Sequence, residues 1–218
     1  MGFERASFLP PGLSGWLTRY PLPHLVTNNL RLRPPRGSDH PEWARLRREN
    51  YGYLQPWEPA WNPDHLSPNA FRRRVSWARR EIAAGRTVPL LVFHRDTGAM
   101  IGGVTIEHVR RGAAQSGALG YWLAEPFSGR GYMTEALQET IAYAFGPLGL
   151  SRLEAACLPY NAASHRLLLR CGFHQEARLA AYLQIDGEWR DHLFFFAVEA
   201  VFAGWLIGAN WPAGLALL

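Results

Sequence analysis

One stretch of the chain, residues 118–145, runs from a strand pattern through a glycine-bearing loop into an amphipathic helix pattern: ALGYWLAEPFSGRGYMTEALQETIAYAF. A loop that leaves a strand and opens a helix presents unpaired N–H groups, and the positive end of the helix dipole, to an anion. It lacks the GK[ST] of a P-loop and the third glycine of the dinucleotide fingerprint. The loop therefore predicts an anion site of another kind in an α/β fold, unless it is an ordinary strand-to-helix turn.

The remaining patterns place this loop in the middle of a mixed α/β fold. Residues 51–68 are rich in aromatic residues and proline, and we expect them to lack regular structure and to close over a site. The Asp186–Gly187 pair predicts a tight hairpin between the last two strands. The expected order is a strand at 29–33, helices at 41–50 and 69–84, strands at 88–94, 100–109 and 115–124, the helix after the loop, a strand at 152–158, a helix at 162–170 and two final strands.

The length of 218 residues predicts one domain. We expect an N-terminal extension at residues 1–26, the domain at 27–200 and an uncharged apolar tail at 201–218. Asn210, Trp211 and Pro212 interrupt that tail, which is too short to span a membrane. We expect it to pack on the domain or on a neighbouring subunit, which leaves a homodimer open.

The basic charge does not by itself indicate nucleic-acid binding. The net charge is +5, but all 23 basic residues are arginine, and the basic clusters lack the interleaved aromatic residues of recognition modules. The N-terminus has no secretory signal pattern, which predicts a cytoplasmic protein. Cys157 and Cys171 lack metal-site spacing, and the eight histidines form no cluster in the sequence. We therefore expect core thiols, no metal and no direct contact with nucleic acid.

A second motif, PYNAASHRLLLRCGF, follows the strand pattern at 152–158. Asn161 is placed to cap a helix, and Gly172 is placed just beyond its end. These roles explain both residues structurally, and they leave room for a ligand-binding role at Asn161 as well.

Together the two motifs resemble the GNAT acetyltransferases, and the run GYWLAEPFSGRGYMTEA is similar to that of the RimJ/RimL branch. The GNAT signature Q/R-x-x-G-x-G/A falls on residues 128–133, with departures at its first and last positions. The resemblance covers about residues 30–199 and implies a mixed sheet of about six to seven strands flanked by about four helices. It also implies that the loop binds the pyrophosphate of acetyl-CoA through Ser128, Gly129, Arg130, Gly131, Tyr132, Met133 and Thr134.

The resemblance assigns further coenzyme contacts. The branch pattern N-x-x-S followed by GF implies that Asn161 touches the pantetheine arm, and backbone amides at Tyr121, Trp122 and Leu123 are implied to hold the thioester. Many GNAT enzymes carry a tyrosine that acts as the general acid seven residues after the asparagine, where this chain has Leu168. We count Leu168 among the coenzyme contacts.

Because that tyrosine is missing, the acid must be another residue. Ser164 is the candidate, although its hydroxyl could instead bond only the first helical turn. Glu107 and Glu154 are candidate bases, each with the alternative of a surface or ion-paired glutamate. A water chain is a further alternative, because an α-amine with a pKa near 8 needs little help, unlike a lysine with a pKa near 10.4.

The YLQPWEP segment is similar to the acceptor-side loop of the RimJ/RimL branch, which implies that Tyr53, Trp57 and Glu58 contact the acceptor. The predicted function is acetyl transfer from acetyl-CoA to the N-terminal α-amine, on Ala or Ser, of a ribosomal protein, by direct attack through a tetrahedral intermediate. The alternatives are an acetyltransferase for a small amine such as an aminoglycoside or polyamine, and a non-catalytic acyl-CoA sensor.

Overall fold

A single eight-stranded sheet runs through the computed structural model, which describes residues 22–199. Its strand order is β1-β2-β3-β4-β5-β6-β8-β7, and every neighbouring pair is antiparallel except β5 and β6, which are parallel. The predicted apolar tail and most of the predicted N-terminal extension lie outside the described residues. The strands are β1 Leu25–Val26, β2 Leu30–Arg33, β3 Val88–His94, β4 Met100–Arg110, β5 Ser116–Leu123, β6 Arg152–Cys157, β7 His174–Ile185 and β8 Glu188–Val198.

Five α-helices flank the sheet, and local sequence explains where the longer ones begin. The Ser67 hydroxyl caps α3 by accepting from the Ala70 N–H at 3.1 Å, and Pro68 occupies a first-turn position where its missing N–H costs nothing. Within residues 22–199, no helix is long and apolar enough to cross a membrane. The helices are α1 His40–Glu49, α2 Tyr51–Leu54, α3 Pro68–Ala83, α4 Tyr132–Phe145 and α5 Ala162–Arg170.

The sheet separates two apolar cores. The larger one joins α4 and α5 to the sheet, and the smaller one joins α1 and α3 to the opposite face. Along β3 the side chains alternate between them, since Leu90 and Val92 enter the larger core whereas Leu91 and Phe93 enter the smaller one. Residues next to each other on β5 therefore face different helical layers.

Most predicted elements are present, with three differences. The sheet has eight strands because Leu25–Val26 pairs with β2, although this pair falls in the segment predicted as an extension. The prediction that residues 51–68 lack regular structure is wrong for Tyr51–Leu54, which is a helical turn, and for Gln55–Trp57, a 3-10 turn. With α2, the helices number five rather than about four. The predicted hairpin at Asp186 and Gly187 is confirmed, with φ angles of 48° and 82°.

Candidate active site

Strands β5 and β6 pair over only three residues each and then diverge. The parallel ladder joins residues 116–118 to residues 152–154, whereas β5 continues to Leu123 and β6 to Cys157. The divergence opens a gap in the middle of the sheet, between α4 and α5 on one face and the segment after α1 on the other.

Two backbone amides of β5 face this gap. Ala124 donates its N–H to the Ile101 carbonyl at 2.9 Å, on the β4 side. N–H groups alternate in direction along a strand, so the Trp122 amide also faces β4, whereas those of Tyr121 and Leu123 face the gap. A carbonyl oxygen placed beside β5 in this gap would meet one of these N–H donors, a group of the kind that stabilises a developing oxyanion.

The loop from β5 to α4 has the conformation expected of an anion site. Gly129 and Gly131 have φ angles of 75° and 81°, and no atom lies within 4 Å of the place where a Cβ would stand on either residue. The glycines are therefore required by backbone conformation rather than by lack of space. Gly131 is the N-cap of α4, and no side chain of the described residues caps this helix. Its first amides are left for an anionic ligand, and the diphosphate of acetyl-CoA fits this chemistry.

The loop is also bonded to the predicted acceptor side. The Tyr53 hydroxyl lies 2.9 Å from the Ser128 hydroxyl, at the first position of the GNAT signature. A second bond runs from the Glu125 N–H to the Asn50 Oδ1 at 2.8 Å. These bonds hold α2 against the loop. Tyr53, predicted to contact the acceptor, therefore also contacts the loop predicted to bind the diphosphate.

At the other side of the gap, Asn161 and Ser164 form the start of α5. Asn161 caps the helix, as predicted, because its Oδ1 accepts from the Ser164 N–H at 3.0 Å. The Asn161 side-chain NH₂ has no hydrogen-bond partner in the described part of the chain and remains available for a ligand. Leu168 has no exposed surface and packs in the larger core, so we withdraw it from the coenzyme contacts.

The Ser164 hydroxyl has partners beyond its own helical turn. Its oxygen lies 2.6 Å from the Tyr121 hydroxyl oxygen, a contact between α5 and β5. Burial raises the pKa of Tyr121 far above its usual range, although the bond to Ser164 partly opposes this. Cys157 and Cys171 are confirmed as free, buried thiols, and burial raises the pKa of both, that of Cys171 to about 12. The phenol that contacts Ser164 therefore stays protonated, and both thiols stay neutral.

The two candidate bases differ in their surroundings. The Glu154 carboxylate is 2.9 Å from the Arg110 guanidinium and 3.0 Å from that of Arg152, so it is the ion-paired glutamate of the alternative reading. Glu107 has no hydrogen-bond or ion-pair partner for its carboxylate among residues 22–199. Its Oε1 lies 3.9 Å from the place where a Cβ on Gly120 would stand, one residue before Tyr121.

The acceptor-side segment contains an ion pair that the sequence did not reveal. Arg47 forms a two-pronged pair with Glu58, one contact being 2.7 Å, and Trp61 donates its indole N–H to the same carboxylate at 3.0 Å. The Arg47 side chain is only 6% exposed and lies over the rings of Trp61 and Trp122 at 4.4 and 4.8 Å. Glu58 is already neutralised, so we withdraw it as a direct contact of the acceptor cation.

The rest of this segment packs against the β7–β8 turn and the loop before α5. Asp186 donates its N–H to the Glu58 carbonyl at 3.0 Å and accepts from the Gln55 side chain at 3.0 Å. The Trp57 and Tyr160 rings are 5.9 Å apart and both are partly exposed. Trp57 therefore lies beside the loop between β6 and α5, with part of its ring exposed.

Comparison with known proteins accounts for this arrangement. The acetyltransferase (GNAT) domain family matches residues 29–174. The [ribosomal protein uS5]-alanine N-acetyltransferase of Escherichia coli is 32% identical over 179 residues, which is 82% of this chain and 92% of that protein. The chain belongs to the GNAT acetyltransferase family.

Other GNAT proteins are similar over most of their length. A probable N-acetyltransferase of Bacillus subtilis, YjcK, is 30% identical over 77% of this chain and 93% of its own. The structure of Mycobacterium smegmatis RimJ in complex with CoA-disulfide has a TM-score of 0.76 and 31% identity, covering 91% of this chain and 99% of that one. The GNAT fold and acetyl-CoA-dependent N-acetyltransferase activity follow from these relationships.

Proposed function

We propose that this GNAT enzyme acetylates the N-terminal α-amine, on alanine or serine, of a ribosomal protein. The observation that carries the proposal is the 32% identity to the uS5-alanine N-acetyltransferase of Escherichia coli, which spans 82% of this chain. The proposal includes a cytoplasmic location, because the acceptor belongs to the ribosome.

The acetyl donor would occupy the gap between β5 and β6. The amides of the loop and of the first turn of α4, residues 129–134, would hold its diphosphate, and the free side-chain NH₂ of Asn161 would reach the pantetheine arm. One of the two gap-facing amides, that of Tyr121 or that of Leu123, would bond the thioester oxygen and stabilise its negative charge during attack.

Proton transfers would involve two side chains at the gap. Glu107, the unpaired carboxylate beside Gly120, would collect the proton that the amine loses, directly or through water. Ser164 would give its hydroxyl proton to the departing sulphur and regain one from water. An α-amine has a pKa near 8 and is partly neutral at cellular pH, so a weak base at this position is sufficient.

The charges near the acceptor entrance favour a peptide terminus over a polycation. Two carboxylates in residues 51–68 are ion-paired, Glu58 with Arg47 and Asp64 with Arg73. A pocket for an aminoglycoside or polyamine requires free carboxylates to match several positive charges. Trp57 and Tyr53 instead offer partly exposed rings beside the gap.

The test measures thiol release from acetyl-CoA with peptides that begin with the N-terminal residues of ribosomal proteins. Matched peptides blocked at the α-amine, but retaining their lysines, are the control. Small amines, including a polyamine and an aminoglycoside, form the third set. Turnover confined to peptides with a free α-amine is expected. Turnover confined to small amines would contradict the proposal. Tight coenzyme binding without turnover would indicate a sensor.

A further inference from the structure

The Tyr121 hydroxyl is the only phenol bonded to Ser164 among residues 22–199, and it reaches the serine from a different element. Tyr121 packs on the larger core with α4 and α5, whereas its neighbour Trp122 packs on the smaller core. The oxygen-to-oxygen distance of 2.6 Å is within the normal range for a hydrogen bond between two hydroxyls. Ser164 is thus held twice, by the Asn161 cap on its backbone and by Tyr121 on its side chain.

We propose that Tyr121 is a positioning residue for the leaving-group step, donating to the Ser164 oxygen and so turning the serine's own proton toward the gap. A hydrogen bond between two hydroxyls uses one of their two protons, and the other remains available. This inference rests on the proposed function in one respect, because it takes Ser164 as the donor to the departing sulphur.

The chemistry of the two hydroxyls sets the direction of the bond. A phenol is far more acidic than an alcohol, so it is the better donor of the pair, and the serine oxygen is the better acceptor. Burial keeps Tyr121 protonated by raising its pKa, so it remains a donor at every working pH. Tyr121 keeps its proton while Ser164 gives one to the sulphur as the carbon–sulphur bond breaks, and water then restores the serine.

The remaining neighbours of Ser164 fit this direction. Burial raises the pKa of the Cys157 thiol, an effect that Ser164 partly opposes, so this sulphur is neutral in the free enzyme. A departing thiolate is a stronger acceptor than a neutral thiol, because hydrogen bonds to charged groups are about twice as strong. The serine proton therefore moves to the leaving group when that charge develops.

The experiment is a double-mutant cycle of Tyr121→Phe and Ser164→Ala. Removal of the phenol hydroxyl is expected to lower kcat about 10-fold, and Ser164→Ala about 100-fold, within the range of acid–base contributions. The double variant should match Ser164→Ala alone, because Tyr121 acts only through the serine. The coenzyme Kd, measured with CoA by calorimetry, should change less than about 2-fold, because neither hydroxyl belongs to the diphosphate loop.

A matched control is Tyr182→Phe, which removes a tyrosine hydroxyl on β7 and should leave kcat unchanged. The proposal is overturned if Tyr121→Phe keeps wild-type kcat, if the two losses multiply, or if Ser164→Ala remains fully active. The cycle uses the amine that the wild-type enzyme acetylates fastest, or water if no amine is acetylated, because the sulphur departs in each case. Failure of the ribosomal acceptor is thereby separated from failure of the Tyr121 role.

Discussion

The coenzyme side and the acceptor side of the gap are built in different ways. On the coenzyme side, which comprises residues 121–134 and the start of α5, the features that shape the anion site and begin α5 are local: positive φ angles at two glycines and a cap between two residues three positions apart, Asn161 and Ser164. On the acceptor side, comprising Arg47, residues 51–65 and the β7–β8 turn, the important contacts join distant residues. Gln55 and Asp186, for example, are separated by 131 positions.

This difference explains which side can be changed without disturbing the fold. A local anion site depends on backbone conformation, so a substitution there should alter ligand binding with little loss of stability. A substitution in the network of distant contacts around the nearly buried Arg47 should instead lower stability and change ligand binding little, because the charges in that network stabilise one another. The following predictions test that contrast, beginning with the largest effect.

Arg47→Met should lower the free energy of unfolding by about 3 kcal/mol, because it leaves the Glu58 carboxylate largely buried without its cation. Thermal or urea unfolding measures the change. The control, Arg178→Met, removes a pair with Asp191 that is mostly exposed and should change stability by less than about 1 kcal/mol. Adding Glu58→Leu to the first variant should recover stability. Equal losses of stability in Arg47→Met and Arg178→Met would show that the pair of Arg47 with Glu58 matters no more than an exposed pair.

Gly131→Ala should weaken coenzyme binding on the order of 100-fold (about 2.7 kcal/mol), because its methyl group occupies the approach to the amides of α4. The strain of a positive φ should cost only about 1 kcal/mol of stability. Gly112→Ala imposes the same strain, at a φ of 67°, in the turn between β4 and β5. Calorimetry with CoA should show normal affinity for this control, and equal losses in the two variants would contradict the anion site.

Glu107→Gln should lower kcat/KM about 10-fold near neutral pH, at the low end for general base catalysis because an α-amine is already partly neutral. Glu154→Gln should change it less than about 2-fold, because that carboxylate is bound by two arginines and belongs to neither side of the gap. Thiol release over a range of pH measures both variants. A larger loss of kcat/KM in Glu154→Gln than in Glu107→Gln would indicate that Glu154, and not Glu107, is the general base.

His65 should make the acceptor side sensitive to acid. Burial, then the charges of Arg74 and Arg47, lower the pKa of His65 to about 4. Between about pH 6.5 and pH 4 the unfolded chain binds a proton that the folded chain does not, so stability falls as pH falls. At pH 5 the loss should be about 1 kcal/mol, allowing for the half-exposed ring.

His65→Gln should therefore reduce the difference between the Tm values at pH 7 and pH 5. The substitution His174→Gln, at an exposed position on β7, should leave that difference unchanged. Neither substitution should change the affinity for coenzyme, and in the case of His65 this is because the ring stacks on Trp61 on the acceptor side. An unaltered pH dependence in His65→Gln would show that His65 is not the sensitive group.

The backbone conformation on the coenzyme side could be predicted from the sequence because it is encoded locally. Gly129 and Gly131 adopt the conformation that glycine favours, and a strand-to-helix turn needs little information from elsewhere. Leu168 is the exception, because counting from Asn161 places a residue on a helix without showing which face it lies on. Leu168 lies on the face of α5 that packs in the larger core.

The acceptor side was predicted less well because partners decide its properties. Glu58 resembles a free carboxylate until Arg47 lies against it, and the helical turn at Tyr51–Leu54 lies in a segment whose composition suggests irregular structure. The Tyr121 hydroxyl was missed for a related reason. The strand pattern gives its face, but only the packing of α5 on that face brings Ser164 within 2.6 Å.

The three-residue ladder between β5 and β6 has a consequence for the energetics of the whole chain. Where the strands diverge, β5 has donors that a neighbouring strand would normally satisfy, and the extended pantetheine arm can act as that neighbour. In the proposed binding mode, acetyl-CoA would complete the sheet as well as react, so saturation with coenzyme should protect the protein from heat, by about 2.7 kcal/mol at 100 times its Kd. Release of CoA would leave these β5 donors without a partner again in each turnover.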